Sequence, residues 1–231
     1  MPIDRADSQA HTLQLAIGLH KSGELGRAET LYRDIVKRQP KHIDANYLLG
    51  LVSAQQGKFE PAAQFLGRAA RLRPDFLDAH YNCGVALNAL GRHAEALAHY
   101  DKILALRSDH IGALQNRAGS LFEMRRFSDA LDGYDKALAE IGEHADTLDN
   151  RGVALRELHR FEEALASHER ALAIAPNHVA ASTNRGAALR ALGRHRDALA
   201  CYARAIALDP SCVEAHYNRA VALLELKRFE E

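Results

Sequence analysis

Every thirty-fourth residue from Ala28 is an alanine: Ala28, Ala62, Ala96, Ala130, Ala164 and Ala198. A second column at the same interval holds only small residues, Ala16, Gly50, Gly84, Ala118, Gly152, Gly186 and Ala220. A third, Pro40, Pro74, Ser108, Gly142, Pro176 and Pro210, is rich in chain breakers. A chain that repeats itself at this period folds as stacked copies of one supersecondary unit, because a single copy cannot bury its own apolar face.

With the Gly50 column set as position 8, the units are 9–42, 43–76, 77–110, 111–144, 145–178, 179–212 and a partial 213–231. Residues 1–8 stand outside as a flexible N-terminus. Each unit carries two amphipathic stretches, for example Asp78 to Leu90 and Ala94 to Leu106, parted by Gly91. Gly just past a helical pattern is a stop signal, and Pro at position 32 ends the second stretch. The unit is therefore a helix–turn–helix and the chain is all-α. Positions 8 and 20 mark where two helix backbones approach closely. Bulky side chains fill the space around them: Tyr32, Tyr100, Tyr134 and Tyr202 at position 24, Phe59, Phe127, Phe161 and Phe229 at position 17.

The spacing in Asn82-Cys83-Gly84-Val85-Ala86-Leu87, then Gly91, Ala96, Tyr100 and a position-32 proline, resembles the tetratricopeptide repeat. The resemblance covers residues 9–231. It departs at position 4, where the family's Trp slot holds Asn46, His80, Leu114, Leu148, Ser182 and His216, and at position 7, which is Arg from the fourth unit on. It implies a right-handed superhelical α-solenoid of about six and a half repeats and about 13 helices, counted from the repeat pattern. It also implies first helices that line a concave groove binding segments of other proteins.

In such a groove the first-helix positions 2, 5, 6, 9, 12 and 13 face the ligand. Position 6 reads Asn82, Asn116, Asn150, Asn184 and Asn218. Asn is a poor helix-interior residue, so five in one column need a reason. An amide offers donors and an acceptor and can hold a peptide group bidentately whatever the ligand side chain. Helices pack about 8–10 Å apart and an extended peptide advances about 3.3 Å per residue, so one rung meets the ligand roughly every three residues. The other reading is that these amides bridge adjacent repeats. Asparagine ladders in the repeats of O-linked N-acetylglucosamine transferases look like this one. Tyr47, Tyr81 and Tyr217 at position 5 are candidate anchors or half-buried helix residues. Arg117, Arg151, Arg185 and Arg219 at position 7 are expected to pack their stems between helices and reach solvent or neighbouring acids, the alternative being a cationic stripe for an acidic ligand or phosphate.

Other chemistries find little support. Lys+Arg and Asp+Glu cancel at 30 each, which leaves no electrostatic footprint for nucleic acid or an anionic membrane. No apolar run reaches the roughly 18 residues of a bilayer span. The 13 histidines fall mostly in repeat columns, too far apart to share one metal ion, and are expected in solvent-exposed turns. Cys83, Cys201 and Cys212 are too scattered for a disulfide framework, so a cytoplasmic location is expected. No cofactor and no catalytic site is expected.

The last residues, Lys227 to Glu231, stop one short of the next column alanine, leaving Ala222, Leu223 and Leu226 without a second helix. This predicts a fragment of a longer protein whose terminal face frays or associates with another copy. Leu31-Tyr32-Arg33-Asp34-Ile35, Gln39-Pro40 and Asp44 to Gly50 resemble the opening repeats of bacterial proteins ending in a glycosyltransferase of the O-linked N-acetylglucosamine transferase type. The leading expectation is a protein-interaction scaffold. The alternative is the substrate-recruiting arm of such a glycosyltransferase.

Overall fold

The computed structural model describes residues 5–226, with side chains from residue 10. They form thirteen helices and no strand. The first helices of the repeats are α1 (Arg5–Lys21), α3 (Ile43–Gln55), α5 (Leu77–Ala89), α7 (Ile111–Glu123), α9 (Ala145–Glu157), α11 (Val179–Ala191) and α13 (Val213–Glu225). The second helices are α2 (Leu25–Arg38), α4 (Phe59–Leu72), α6 (His93–Leu106), α8 (Phe127–Ile141), α10 (Phe161–Ile174) and α12 (His195–Leu208). From α3 onward every first helix opens on position 1, and every second helix opens on position 17. Helix α1 starts earlier, at Arg5. Residues 1–4 and 227–231, Phe229 among them, lie outside the described residues. No described helix is long and apolar enough to cross a membrane.

The chain divides into two compact units, Met1–Asn116 and Arg117–Glu231. In the first, α1 to α5 pack each on the next, α5 packs on α6, and α3 also touches α5. Its core gathers Ala16, Ala28, Tyr32, Leu49 and Val52, followed by Leu66, Cys83, Tyr100 and Ile103. In the second unit α8 to α13 pack in sequence, and the first helices α9, α11 and α13 touch side by side. Leu155, Ala164, Leu189, Ala198 and Tyr202 form its main core.

The column alanines at position 20 are all fully buried, as are Tyr32, Tyr100 and Tyr202. A methyl group built on Gly186 would stand 2.5 Å from the Tyr202 ring, so the helix pair closes only because Gly leaves that space to the aromatic side chain. Where position 8 is Ala118, the facing residue is Gly133, whose own Cβ would come within 2.9 Å of the Ala118 methyl. The constraint falls on the summed volume at the crossing.

The second helices stop one residue before the position-32 proline, at C-caps Gln39, Arg73, Ala175 and Asp209, because the residue ahead of Pro avoids helical backbone. Where Gly142 replaces that proline, α8 runs one residue longer and ends in a residue with φ of 75°. Position 4, the slot expected for Trp, serves the same turn by hydrogen bonding. The buried Asn46 amide donates to Pro40 O at 3.0 Å and His42 O at 2.8 Å, and His216 Nε2 donates to Pro210 O at 3.0 Å. The histidines of position 34 are N-caps: Nδ1 of His42, His110, His144 and His178 accepts the backbone N–H three residues on. A repeated histidine just before a helix start was the available signal, and the expectation of merely solvent-facing turn residues missed it.

The turn inside each repeat reverses through a left-handed residue. Gly occupies it at 23, 57, 91 and 193, but Arg125 and His159 adopt φ of 58° and 59° there. A side chain in that region costs about 1 kcal/mol or more. Replacing either by Gly is expected to stabilise the protein by about 0.5–1 kcal/mol after the entropy of the unfolded glycine is counted. Gly186→Ala is expected to cost about 1–3 kcal/mol despite alanine's better helix propensity, since the Tyr202 ring has nowhere to move. Urea unfolding of the variants measures both.

Candidate functional site

Position 6 lies on the first helices beside position 5 of the preceding repeat, and their side chains meet. In the first unit the Asn82 amide Nδ2 donates to Asp78 O at 2.8 Å and to the Tyr47 hydroxyl at 3.4 Å. Asn116 repeats the pattern with Gly112 O at 2.8 Å and the Tyr81 hydroxyl at 3.1 Å. A backbone carbonyl only accepts, so these contacts orient each amide with nitrogen toward the protein. Both amide hydrogens of Asn82 are committed, and Oδ1 is the atom left to meet a ligand. Bidentate grip on a peptide group, expected from the sequence, would require breaking one of those bonds.

Tyr47 and Tyr81 are half-buried rather than projecting. The Tyr47 ring packs on Phe76 with centroids 4.6 Å apart, and burial, followed by the nearby Asp78 charge, pushes its hydroxyl pKa up. Tyr81 lies against the Gly112 backbone and near Tyr100 and His110.

The second unit builds its rung differently. Position 5 is Asp149, 5% exposed, and the Asn184 amide donates to both of its carboxylate oxygens at 3.2 and 3.1 Å. His168, fully buried in the position-24 slot where other repeats place Tyr or Leu, brings Nδ1 within 2.7 Å of the same carboxylate. Its ring lies over Gly152, and Nε2 has no partner. A buried carboxylate needs several donors, and here two residues from neighbouring helices provide them. Asn150 is exposed and makes no side-chain hydrogen bond among the described residues. Asn218 is half-buried on α13, and Tyr217 beside it is 68% exposed.

The arginines of position 7 are paired where their partners are seen. Arg151 bonds Asp135 and Arg185 bonds Glu169 at 3.0 Å, each reaching back to the second helix of the preceding repeat. No group of three or more His, Cys, Asp or Glu side chains is placed to hold a metal ion among the described residues.

One cluster in the first unit had no sequence signal, because its members sit on the two helices of one repeat and meet only when α5 and α6 pack. His99 lies between Cys83, whose Sγ is 3.4 Å from Nε2, and His80, whose Nδ1 is 3.0 Å from the His99 Nδ1. Burial pushes the Cys83 thiol up to about 12. Burial, helped by His80, lowers His99 to about 4, and burial lowers His80 as well. At neutral pH all three are uncharged, so the pair offers no thiolate nucleophile.

The tetratricopeptide repeat family matches residues 110–177 and 183–231, and the description "Anaphase-promoting complex, cyclosome, subunit 3" matches 21–103. No curated protein matches the sequence. Among solved structures, a tetratricopeptide repeat protein of Parabacteroides merdae aligns at 16% identity and TM-score 0.82, covering 96% of this chain and 88% of that one. YrrB, described as a TPR protein with an unusual peptide-binding site, aligns at 17% identity and TM-score 0.65, covering 80% and 96%. The Cut9–Hcn1 hetero-tetramer of the APC/C aligns at 18% identity and TM-score 0.71, covering 96% and 44%.

Two measurements check this geometry. Asn184→Ala strips a buried carboxylate of a donor and is expected to cost about 1–3 kcal/mol, Asn116→Ala about 1 kcal/mol, and the exposed Asn150→Ala under about 0.5 kcal/mol. Unfolding midpoints read that order. The lowered His99 group makes the unfolded chain bind more protons below its ordinary value of 6.5. Stability is therefore full above that value and falls as pH drops toward about 4. Between pH 7 and about 5 the loss from His99 is expected to be on the order of 2 kcal/mol and to shrink in His99→Gln, as seen by denaturation at the two pH values.

Proposed function

We propose that this chain, an array of tetratricopeptide repeats, is a protein-interaction scaffold whose first helices hold an extended partner segment by its main chain. The amide column of position 6 carries the reading. Asn82 keeps its Oδ1 free to accept a peptide N–H while its nitrogen is anchored, and Asn150 keeps the whole amide unspent. An acceptor held this way loses little side-chain entropy on binding. Asn116, Asn184 and Asn218 belong to the same column and are proposed contacts, with Tyr47, Tyr81 and Tyr217 as flanking surface.

The similar structures support a protein or peptide ligand, since one is described by its peptide-binding site and another as part of a hetero-tetramer. Nucleic acid and membrane fit less well, with a net charge of zero and the arginines Arg151 and Arg185 held in ion pairs. Three free thiols at Cys83, Cys201 and Cys212 suit a reducing compartment such as the cytoplasm. The glycosyltransferase-arm alternative rests on the resemblance of the opening repeats alone.

Selection from random peptides of about ten residues, roughly 33 Å when extended, tests the proposal. Asn150→Ala is expected to weaken a selected peptide about three- to tenfold in fluorescence anisotropy, with the melting temperature unchanged. Affinity unmoved by both Asn82→Ala and Asn150→Ala would sink main-chain recognition by this column.

A further inference from the structure

The two turns of the second unit that forgo glycine share a destination. Arg125 and His159 line one cleft of about 570 Å³ together with Phe127, Phe161, Arg156 and Arg190. Arg156 and Arg190 stand at position 12 of α9 and α11, on the face assigned to the groove, and the two phenylalanines open α8 and α10. Strained backbone at two positions converging on one cavity is the pattern of a retained function.

The charge of the cleft is unlike that of the turns around it. One residue further along each turn, Arg92, Arg126, Arg160 and Arg194 are neutralised by an acid three residues on, at 2.6–2.7 Å. Arg125 has no carboxylate partner among the described residues, and its guanidinium lies over the Phe127 ring, 5.4 Å from the centroid. Arg156 is paired with its neighbour Glu157, at 3.4 Å, while Arg190 is paired with Glu225 at 2.8 Å. Glu157 and Glu214 also border the cleft. Arg125 is thus the lining arginine without an acidic partner among the described residues, which suits a single carboxylate and is too little for a polyanion. The apolar share comes from the two half-buried phenylalanine rings and His159, whose ring meets Phe161 edge-on at 5.7 Å.

We propose that this cleft seats an acidic side chain flanked by a bulky apolar one from a partner peptide. Arg125 and Arg156 take the carboxylate, and the apolar neighbour rests on Phe127 and Phe161. Guanidinium groups match carboxylates in geometry, and Arg125, already set over a ring, is oriented for it. The choice of a peptide rests on the scaffold reading above, and the acidic–apolar pattern is what the cleft adds.

The test uses two labelled peptides of about ten residues, one alternating Glu with Leu and the other Gln with Leu, on the intact chain. The Glu peptide is expected to bind about tenfold tighter at low salt, with the gap closing as ionic strength rises. Arg125→Gly and Arg156→Gln are each expected to weaken it about threefold or more. Arg125→Gly relieves the turn, so a melting temperature equal to or above that of the parent separates lost binding from lost folding. Equal affinity for the two peptides, or indifference to both substitutions, overturns the cleft proposal. If a library-selected peptide still binds in that case, the scaffold reading stands. If no peptide binds at all, both fall.

Discussion

The distance between the two helices of a repeat governs everything else in this molecule. A position-8 glycine leaves no room even for a methyl group where an aromatic ring from position 24 lies across it, as Tyr202 does over Gly186. The ring, the glycine and the fully buried column alanine form one packed crossing repeated along the chain. Burying such a ring is worth about 2 kcal/mol or more, but only while the small residue keeps its place. Ala118 opposite Gly133 shows that the volume can be exchanged between partners without being exceeded.

That packing rule reaches the candidate binding face through His168. The fifth repeat puts an imidazole where the others put Tyr or Leu, and a buried imidazole needs a polar partner. Asp149 supplies it from position 5, and the Asp149 carboxylate in turn recruits Asn184 from the next repeat. The candidate binding face thus carries a carboxylate-centred network in the second unit where the first has a neutral Tyr–Asn pair. The two units present chemically different faces although they derive from one repeat.

Much of this was legible in the chain. The thirteen helices of the described residues, two to each full repeat, and the buried alanine column follow from periodicity, because each repeat solves the same burial problem. The recurrence of histidine at position 34 was legible, but its backbone role was missed. Histidine is outside the usual capping set of Ser, Thr, Asp and Asn, so the column alone did not name the Nδ1 cap that the contacts show. The asparagine column was visible, yet its duty was not. Only the contacts of Asn82 and Asn116 show their amide nitrogens already engaged, while Asn150 in the same column stays exposed.

The sequence by itself determined the repeat, the helix pair and where small residues must sit, since those depend on periodic volumes along one chain. Tertiary structure decided which polar side chains are spent on the protein and which remain for a partner. Hydrogen bonds between residues about 35 positions apart, such as Asn184 to Asp149, exist only once neighbouring repeats are stacked. The same holds for the cleft that gathers Arg125, Arg156 and Phe161 from separate turns and helices. Their proximity is a product of stacking, and no local pattern in the chain records it.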